Sequence, residues 1–290
     1  MTGELDRAEH VTFRLEQSFA YRYDAPIRQL SHRLRVFPPA QHGPASLVTS
    51  RLEIAGAQVR RRRWHDSAGN TVVRLDADRV DEFVHFAVSA TVTRSRAGEP
   101  VLLDRTALTS PWWRRATRLT APSEALRDLA DRVGARGAAR QPLDRLSSLA
   151  LADDLCEATY EALTYEWGVT GVRTTAAEAL ALGRGVCQDS AHVLVSLCRI
   201  RGLAARYVSG HLVGQGGTHA WVEVLVPSSD GHAAEAVGFD PCHGRRTGAG
   251  YLTVATGRDY ADVPPTSGRY SGSSAGRLTT TRDLTVLDAA

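Results

Sequence analysis

The spacing of apolar residues changes near Pro100, and this change limits the folds open to the chain. Before Pro100, apolar and polar residues alternate with the period of a β-strand. Beyond it, apolar residues recur at helical spacing, and strand patterns return from Ala204. Strands followed by helices and further strands predict an α+β chain with an N-terminal antiparallel β domain over residues 10–95.

The N-terminal strands are separated by turn-forming residues. Their predicted bounds are Val11–Tyr23, Leu30–Val36, Ser50–Trp64, Thr71–Leu75 and Phe83–Arg94. The last of them alternates most clearly, because every second residue from Val84 to Val92 is apolar. Such a pattern is typical of a sheet that packs on one face.

One dense basic block, Arg60–Arg63, lies inside the third predicted strand. Basic blocks can contact nucleic acid or membranes. Here the block belongs to an alternating stretch that ends at Trp64, and this favours a solvated edge strand. Charged side chains on an edge strand also hinder aggregation by strand pairing. We therefore expect no nucleic-acid partner and no membrane partner.

The second part of the chain predicts four helices, three strands and a tail. The helices cover Ser123–Val133, Leu143–Thr164, Thr175–Leu182 and Cys187–Arg201, and the strands cover Ala204–Val213, Ala220–Val226 and Ala236–Asp240. Ser123 and Asp144 stand where helix caps are expected, and Gly134–Arg140 has the composition of a loop. The predicted division is a β domain (1–100), a helical connector (101–150), a core (151–263) and a tail (264–290) with a final strand from Leu278 to Leu287.

The N-terminus and the cysteines bear on the compartment. Met1–His10 is polar and lacks the apolar region of a secretory signal, and no stretch reaches the roughly 18 apolar residues that cross a bilayer. The four cysteines show no C-x-x-C pairing. We expect a cytoplasmic protein of undetermined oligomeric state, in which disulfides are not expected.

A glycine-containing turn, Gly183–Asp189, leads directly into the predicted helix that carries Cys187 in its first turn. The unpaired N–H groups and the positive dipole end of a helix favour an anion there. Thiolates in such positions are in general more reactive than free thiols. The flanking glycines would also let a substrate approach the backbone closely. By itself, the segment is equally consistent with an ordinary buried cysteine.

His219 begins a strand pattern in which Ala220, Val222, Val224 and Val226 form one apolar face. His219, Trp221 and Glu223 then project together from the opposite face. Asp240 ends the next predicted strand, just before a proline, and a carboxylate there can accept the imidazole N–H. A strand-terminal aspartate before proline is common, so this spacing alone does not establish a catalytic triad.

Together, these segments resemble the transglutaminase-like superfamily, specifically its bacterial members with an added N-terminal β domain. The resemblance rests on Gly185–Asp189, Ala204–Gly210, His219–Val224, Gly238–Pro241 and Gly257–Pro265, and upstream on Tyr21–Tyr23 and His32–Arg35. It extends over roughly residues 10–285. Cysteine, histidine and aspartate follow in this order at separations of 32 and 21 residues, and the combination is highly specific.

The resemblance implies a papain-like transglutaminase core, with the nucleophile at a helix N-terminus packed on an antiparallel sheet, and a triad of Cys187, His219 and Asp240. His219 takes the thiol proton, the thiolate attacks an amide carbonyl, and a thioester forms. The backbone N–H of Cys187 would contribute to an oxyanion hole, and Gln188 and Trp221 are candidates for oxyanion or substrate binding. The implied substrate is a peptide or protein, with no cofactor and no metal.

Two positions depart from the family pattern. Ser190 stands where an aromatic residue is common, which predicts a more open wall on the substrate side. Cys242-His243-Gly244 stands where the family usually has Thr-Asn-Gly, so a second thiol and a second imidazole follow Asp240. There are three alternatives for this second change: it tunes the site, it binds a metal, or it has no effect. We expect that it has no effect.

Hydrolysis of a peptide or isopeptide-like amide is the favoured reaction, and transfer to an amine (a transglutaminase) is the alternative. The sequence reveals neither a dry amine site nor the acidic loops of a calcium-regulated crosslinker. All 35 basic residues are arginine, so the chain offers no lysine amine for crosslinking to itself. A non-catalytic binding protein is disfavoured because all three triad positions are filled.

A metal enzyme is a further alternative. It would draw its ligands from Cys187, His192, His211, His219, Cys242 and His243. Zinc sites use short, regular ligand pairs, and the deaminase signature fails because no second cysteine follows Cys242 at the required spacing and no His-x-Glu occurs. The sequence thus argues against this alternative.

Overall fold

The structure, a computed structural model, describes residues 2–134 and 144–290. It has a mixed α+β architecture built mostly from antiparallel sheets, with an N-terminal β region, and the predicted fold class is confirmed. None of the helices in these two ranges is both long and apolar enough to span a bilayer.

Residues 2–100 form a short helix and seven strands. These are α1 (Thr2–Leu5), β1 (His10–Tyr23), β2 (Ile27–Leu34), β3 (Gln41–His42), β4 (Ala45–Ala55), β5 (Arg60–His65), β6 (Thr71–Val80) and β7 (Phe83–Ser95). The alternation predicted from Val84 to Val92 is confirmed, because every second residue of that stretch is buried. The Arg60–Arg63 block lies exposed on β5, an edge strand, as predicted.

The single strand predicted over Ser50–Trp64 is wrong. The chain turns at Gly56, which has a φ of +86°, and β4 and β5 join different sheets. An added Cβ at Gly56 would collide with the Phe83 carbonyl oxygen, so the close approach of these two segments requires glycine. Alternation continues through both strands, and a period-two pattern does not reveal which sheet each strand enters.

The remaining strands and helices follow residue 100. The strands are β8 (Val101–Asp104), β9 (Thr164–Tyr165), β10 (Arg184–Gly185), β11 (Ala204–Leu212), β12 (His219–Pro227), β13 (Ala233–Asp240), β14 (Arg245–Arg246), β15 (Tyr251–Gly257), β16 (Thr266–Ser271) and β17 (Gly276–Ala289). The helices are α2 (Pro111–Arg114), α3 (Glu124–Gly134), α4 (Arg145–Ala162), α5 (Ala176–Leu182) and α6 (Cys187–Ile200), with short 3-10 turns at Arg105–Leu108 and Tyr260–Asp262.

Two sheets form the N-terminal sandwich, in the orders β17-β1-β7-β4-β3 and β16-β2-β6-β5. Apolar residues of β1, β2, β6 and β7 share one core between them. The C-terminal strands complete both sheets: β17 pairs with β1 from Val11↔Ala289 to Tyr23↔Gly276, and β16 pairs with β2. The segment expected to be a tail is thus part of the sandwich. The proposed domain boundaries themselves stay a prediction.

The predicted helix signals hold where the structure describes them. Ser123 and Asp144 accept backbone N–H groups at the starts of α3 and α4, and Thr175 forms a reciprocal capping box with Glu178 on α5. Gly183 ends α5 with a φ of +67°. The loop predicted over 134–140 lies outside the described residues apart from Gly134, the last residue of α3, as does the predicted helix start at position 143.

The third sheet has the order β14-β13-β12-β11-β15, with β8 added beside β13. Helix α6 packs on one face, where Ala191, Leu194 and Val195 meet Val222 and Val224 in a core shared with α3, α4 and α5. The opposite face packs partly on the N-terminal sandwich through residues of β1, β7 and β15. Because both faces are covered, every residue of β11 is buried.

A charge cluster centred on the buried Glu223 joins the sandwich to this sheet. His42 Nε2 lies 2.7 Å from Glu223 Oε1, and Arg206 donates to Glu223 Oε2 over 2.6 Å. Burial disfavours the Glu223 carboxylate, but Arg206 and His42 outweigh this and lower the pKa of Glu223 to about 2. Since Glu223 lies on β12, four residues after His219, the cluster ties the N-terminal region to the strand that carries the candidate histidine.

Candidate active site

Cys187 is the first residue of α6, and its side chain is half-buried. The Asp189 N–H bonds to the Val186 carbonyl over 2.9 Å. The N–H groups of Cys187 and Gln188, the first two residues of the helix, have no acceptor within the helix and are available to an anion. The structure therefore has the thiol at a helix N-terminus, as predicted.

The turn before α6 is held by Asp189, a residue that the sequence reasoning did not single out. Its Oδ2 accepts the Val186 N–H over 2.8 Å and the Thr170 hydroxyl over 2.6 Å. A Cβ at Gly185 would lie 2.7 Å from that oxygen. Gly185 thus makes room for this buried carboxylate. The sequence predicts a different role for the glycine, namely to let a substrate approach the backbone.

His219 and Asp240 lie on the neighbouring strands β12 and β13, and both are buried. His219 Nε2 donates to Asp240 Oδ2 over 2.7 Å. Burial disfavours the imidazolium, but the hydrogen bond with Asp240 and interaction with Cys187 outweigh this and raise the pKa of His219 to about 9. Because Nε2 is engaged by Asp240, the ring nitrogen left for Cys187 is Nδ1. The structure thus brings the three predicted residues together.

Asp240 accepts more hydrogen bonds than the sequence suggested. Its Oδ2 also receives the Tyr251 hydroxyl and His243 Nδ1, each over 2.7 Å, and its Oδ1 receives the Cys242 N–H over 2.9 Å. Burial disfavours the carboxylate, but the bonds from His219 and His243 dominate and hold the pKa of Asp240 well below its usual range. The Cys242-His243 change thus places a second imidazole on Asp240; that the change has no effect stays a prediction.

The six-residue metal set of the sequence analysis is not brought together. His192 Nε2 accepts the Tyr260 N–H over 3.2 Å, and His211 Nδ1 donates to the Gly217 carbonyl over 2.9 Å. The ligating atoms of His219, Asp240 and His243 do lie within 4.8 Å of one another. However, both imidazoles and Tyr251 already converge on one carboxylate oxygen, so a cation among them would displace those bonds.

Trp221 and Gln188 occupy different surroundings. Trp221 is 2% exposed, lies nearly parallel to the His219 ring at 6.2 Å between centroids, and meets Tyr251 edge-on. It packs behind the histidine. Gln188, at the second position of α6, donates to the Gly171 carbonyl over 3.3 Å at the surface. Their roles in oxyanion or substrate binding stay predictions.

Two further residues bear on the surroundings of the thiol. Ser190 is 6% exposed, so it does not form a surface wall. Tyr165, which the sequence reasoning missed, interacts electrostatically with Cys187 and Cys242 and is 61% exposed. Burial raises the pKa of the Cys242 thiol to about 12. The side of the site near Tyr165 is therefore open to water, and Cys242 lies there as a neutral thiol.

Two families match the sequence over separate segments. Residues 127–234 match the transglutaminase-like superfamily, and residues 13–93 match the bacterial transglutaminase-like N-terminal region. The first match includes Cys187 and His219 and ends before Asp240. Uncharacterized proteins of Mycobacterium tuberculosis and Mycobacterium bovis are 40% identical over 126 residues, an alignment that spans 40% of this chain and 40% of their length.

A further uncharacterized protein, from Mycobacterium leprae, is 36% identical over 135 residues, which cover 43% of this chain and 46% of the relative. The chain thus matches less than half the length of these relatives. Among solved structures, a protein of Cytophaga hutchinsonii named "Putative Cysteine Protease" has a TM-score of 0.74 at 19% identity, covering 96% of this chain and 91% of that one. At this identity, the likeness concerns the fold.

Proposed function

The chain belongs to the transglutaminase-like superfamily and has a general cysteine-enzyme fold, and on that basis we propose that it is a hydrolase that cleaves a peptide or isopeptide-like amide through a thioester on Cys187. The observation that carries the proposal is the position of His219 between Cys187 and the Asp240 carboxylate, with its pKa raised to about 9. An imidazole that keeps its proton near pH 7 stabilises a thiolate beside it.

The proposed reaction begins with the Cys187 thiolate attacking the amide carbonyl carbon, while His219 holds the proton that the thiol gave up. The carbonyl oxygen becomes an oxyanion, which the N–H groups of Cys187 and Gln188 at the start of α6 would stabilise. His219 then donates its proton from Nδ1 to the leaving amine as the C–N bond breaks, and a thioester remains on Cys187.

Water completes the proposed cycle. His219, now neutral, takes a proton from a water molecule, whose oxygen attacks the thioester carbonyl. The C–S bond breaks, the carboxylic acid leaves, and the Cys187 thiolate again faces the His219 imidazolium. Throughout, Asp240 keeps the proton on Nε2 and so leaves Nδ1 for the reacting groups.

Access of water favours hydrolysis over amine transfer. A transferase must keep water from the thioester while an amine enters, which requires a closed site. Beside Cys187, Tyr165 is 61% exposed and Gln188 lies at the surface. We propose a peptide or protein as substrate, because an open site of this kind admits a chain. The cytoplasmic location and the absence of nucleic-acid and membrane partners stay predictions.

The first experiment is alkylation of Cys187 by iodoacetamide against pH, followed by mass spectrometry, in the native protein and in His219→Ala. Cys242, whose pKa is raised, serves as an internal control in every sample. We expect Cys187 to react near pH 7 at least about tenfold faster than Cys242, and the difference to shrink in His219→Ala. Equal, slow alkylation of both cysteines in the native protein would contradict the proposal.

The second experiment separates hydrolysis from transfer. A glutamine peptide and an amide library are incubated with the protein in the presence of a labelled alkylamine. Because the chain has no lysine, label cannot be diverted by crosslinking to its own lysine side chains. Hydrolysis predicts free acid products that need Cys187. Efficient amine incorporation with negligible deamidation would make the protein a transglutaminase instead.

A further inference from the structure

A chain of hydrogen bonds runs from a surface loop to the candidate histidine. Gln215 Nε2 lies 3.0 Å from His243 Nε2, His243 Nδ1 lies 2.7 Å from Asp240 Oδ2, and the same oxygen lies 2.7 Å from His219 Nε2. The rings of His219 and His243 are 5.4 Å apart between centroids. Two imidazoles therefore share one carboxylate oxygen.

The partners of His243 determine its tautomer. The Asp240 carboxylate only accepts, so His243 Nδ1 carries a proton. The Gln215 amide nitrogen only donates, so His243 Nε2 accepts from it. His243 is thus held at both nitrogens, with a proton directed to Asp240.

The turn that carries His243 is held by its backbone. The His243 N–H donates to the Asp240 carbonyl over 3.2 Å, and the Cys242 N–H donates to Asp240 Oδ1. Gly244 has a φ of +60°, and a Cβ there would lie 2.9 Å from the Tyr160 ring. The side chain of His243 is 31% exposed, so its outer edge faces the solvent while its inner nitrogen reaches a buried carboxylate.

From this geometry we infer that His243 is a positioning residue of the proposed active site: it fixes Asp240 Oδ2 and, through that oxygen, limits how strongly Asp240 holds the proton of His219. The inference rests on the proposed function. A donor to a carboxylate takes up part of its negative charge. With His243 in place, Asp240 orients His219 without stabilising the imidazolium so strongly that release of its Nδ1 proton to the leaving group suffers.

Titratable and charged groups face this network from several elements. Asp240 and Cys242 lie on the same turn as His243, His219 lies on β12, Tyr251 on β15, and Cys187 on α6. Cys156 on α4 and His211 on β11 also interact with Asp240 and His219, respectively, and Arg245 on β14 donates to the Tyr251 hydroxyl. Burial raises the pKa of both Tyr251 and Cys242, so neither ionises near neutral pH. The titration of His219 reports on both Cys187 and Asp240. Because Cys187 is the same in every variant, differences between variants report on what else Asp240 accepts.

The test is a pH titration of the His219 ring by ¹H–¹⁵N correlation spectroscopy, in the native protein and in His243→Ala, His243→Asn and Gln215→Ala. In His243→Ala we expect the His219 midpoint to rise by about half a pH unit or more, because Asp240 loses a donor and binds the imidazolium more tightly. His243→Asn keeps a side-chain N–H for Asp240 and restores the native midpoint. Gln215→Ala, which only loosens His243, gives a smaller rise.

His232 supplies the matched control, since it is an exposed histidine on the β12–β13 turn. His232→Ala leaves the midpoint unchanged, and thermal unfolding of every variant shows whether it is folded. An unchanged or lowered midpoint in folded His243→Ala overturns the inference. Failure of the proposed hydrolase would appear in a different experiment, as slow alkylation of Cys187 in the native protein. The titration of His219 still measures the effect of His243 on Asp240 in that case.

Discussion

His42 on β3 lies 2.7 Å from Glu223 on β12, and this partly buried contact crosses from the N-terminal sandwich to the strand that begins with His219. Arg206 completes the cluster from the other oxygen of Glu223. A buried charge stays stable only while its partners are in place. The candidate site is therefore linked to the β region by electrostatics as well as by apolar packing.

Glu223→Gln should destabilise the protein by about 3 kcal/mol or more near pH 7, because it leaves the Arg206 charge buried without its partner. The folded pKa of Glu223 is lowered from 4.5 to about 2. A lowered pKa contributes stability above the unfolded pKa that is lost as pH falls, here between about 4.5 and about 2, and the substitution removes this pH dependence. Urea unfolding at several pH values measures both effects.

Glu53→Gln is the matched control for that experiment. Glu53 pairs with Arg51 at the surface, where its side chain is 58% exposed. Exposed pairs contribute little, so a change below about 0.5 kcal/mol is expected. Comparable losses in both variants would argue that the His42–Glu223–Arg206 cluster contributes no more than a surface pair.

Asp240→Asn should lower the reactivity of Cys187 without removing the cysteine or the histidine. An amide cannot stabilise the imidazolium as the carboxylate does, so the His219 pKa falls from about 9 toward its ordinary value of 6.5 or below. The pH range over which an imidazolium stabilises the thiolate contracts from its alkaline side. Turnover of any amide substrate should drop by about 10³-fold or more.

Iodoacetamide alkylation of Cys187 from pH 5 to 10 measures this change. Asp153→Asn is a suitable control, since Asp153 pairs with Arg246 on the surface. An Asp240→Asn protein that keeps the native alkylation profile would show that Asp240 does not act on His219.

Gly185→Ala should disturb the start of α6. The new methyl group would lie 2.7 Å from Asp189 Oδ2 and 2.8 Å from its Cβ, so the carboxylate that accepts the Val186 N–H must shift. We expect a loss of about 1–3 kcal/mol in the free energy of unfolding, together with slower alkylation of Cys187.

Gly171→Ala provides the comparison, because a Cβ at Gly171 meets nothing within 4 Å. That variant should have nearly native stability and Cys187 reactivity. If Gly185→Ala behaves in the same way, the Asp189 cap is not what holds the nucleophile turn in place.

Two leucines on β17 test whether the C-terminal strand belongs to the fold. Leu284 is 6% exposed and packs in the core between β1, β7 and β15, whereas Leu287 on the same strand is 53% exposed. Leu284→Ala should cost about 2–4 kcal/mol and Leu287→Ala less than about 0.5 kcal/mol. Urea midpoints measure the difference, and equal midpoints would contradict the pairing of β17 with β1.

Local signals account for what could be predicted. The capping box at Thr175, the glycine after α5 and the cap at Asp144 each act through bonds within about four residues, so they are legible in the sequence and the structure has them. The burial of alternate residues on β7 is equally local. The resemblance to a family identified the Cys187, His219 and Asp240 segments. It gave the order of these residues along the chain but not the distances between their side chains.

The sequence by itself thus determined the fold class, most helices and strands, and three residues with the means for thiol chemistry. Only the tertiary structure decided that β16 and β17 return to pair with β2 and β1, and that the third predicted strand divides between two sheets. It also decided two features of the site: Asp189 caps the nucleophile turn through the space left at Gly185, and His243 shares the carboxylate of Asp240 with His219. The physical reason is separation along the chain. Strand pairing and shared side-chain acceptors depend on groups brought together by packing, and a period or a motif describes only its own neighbourhood.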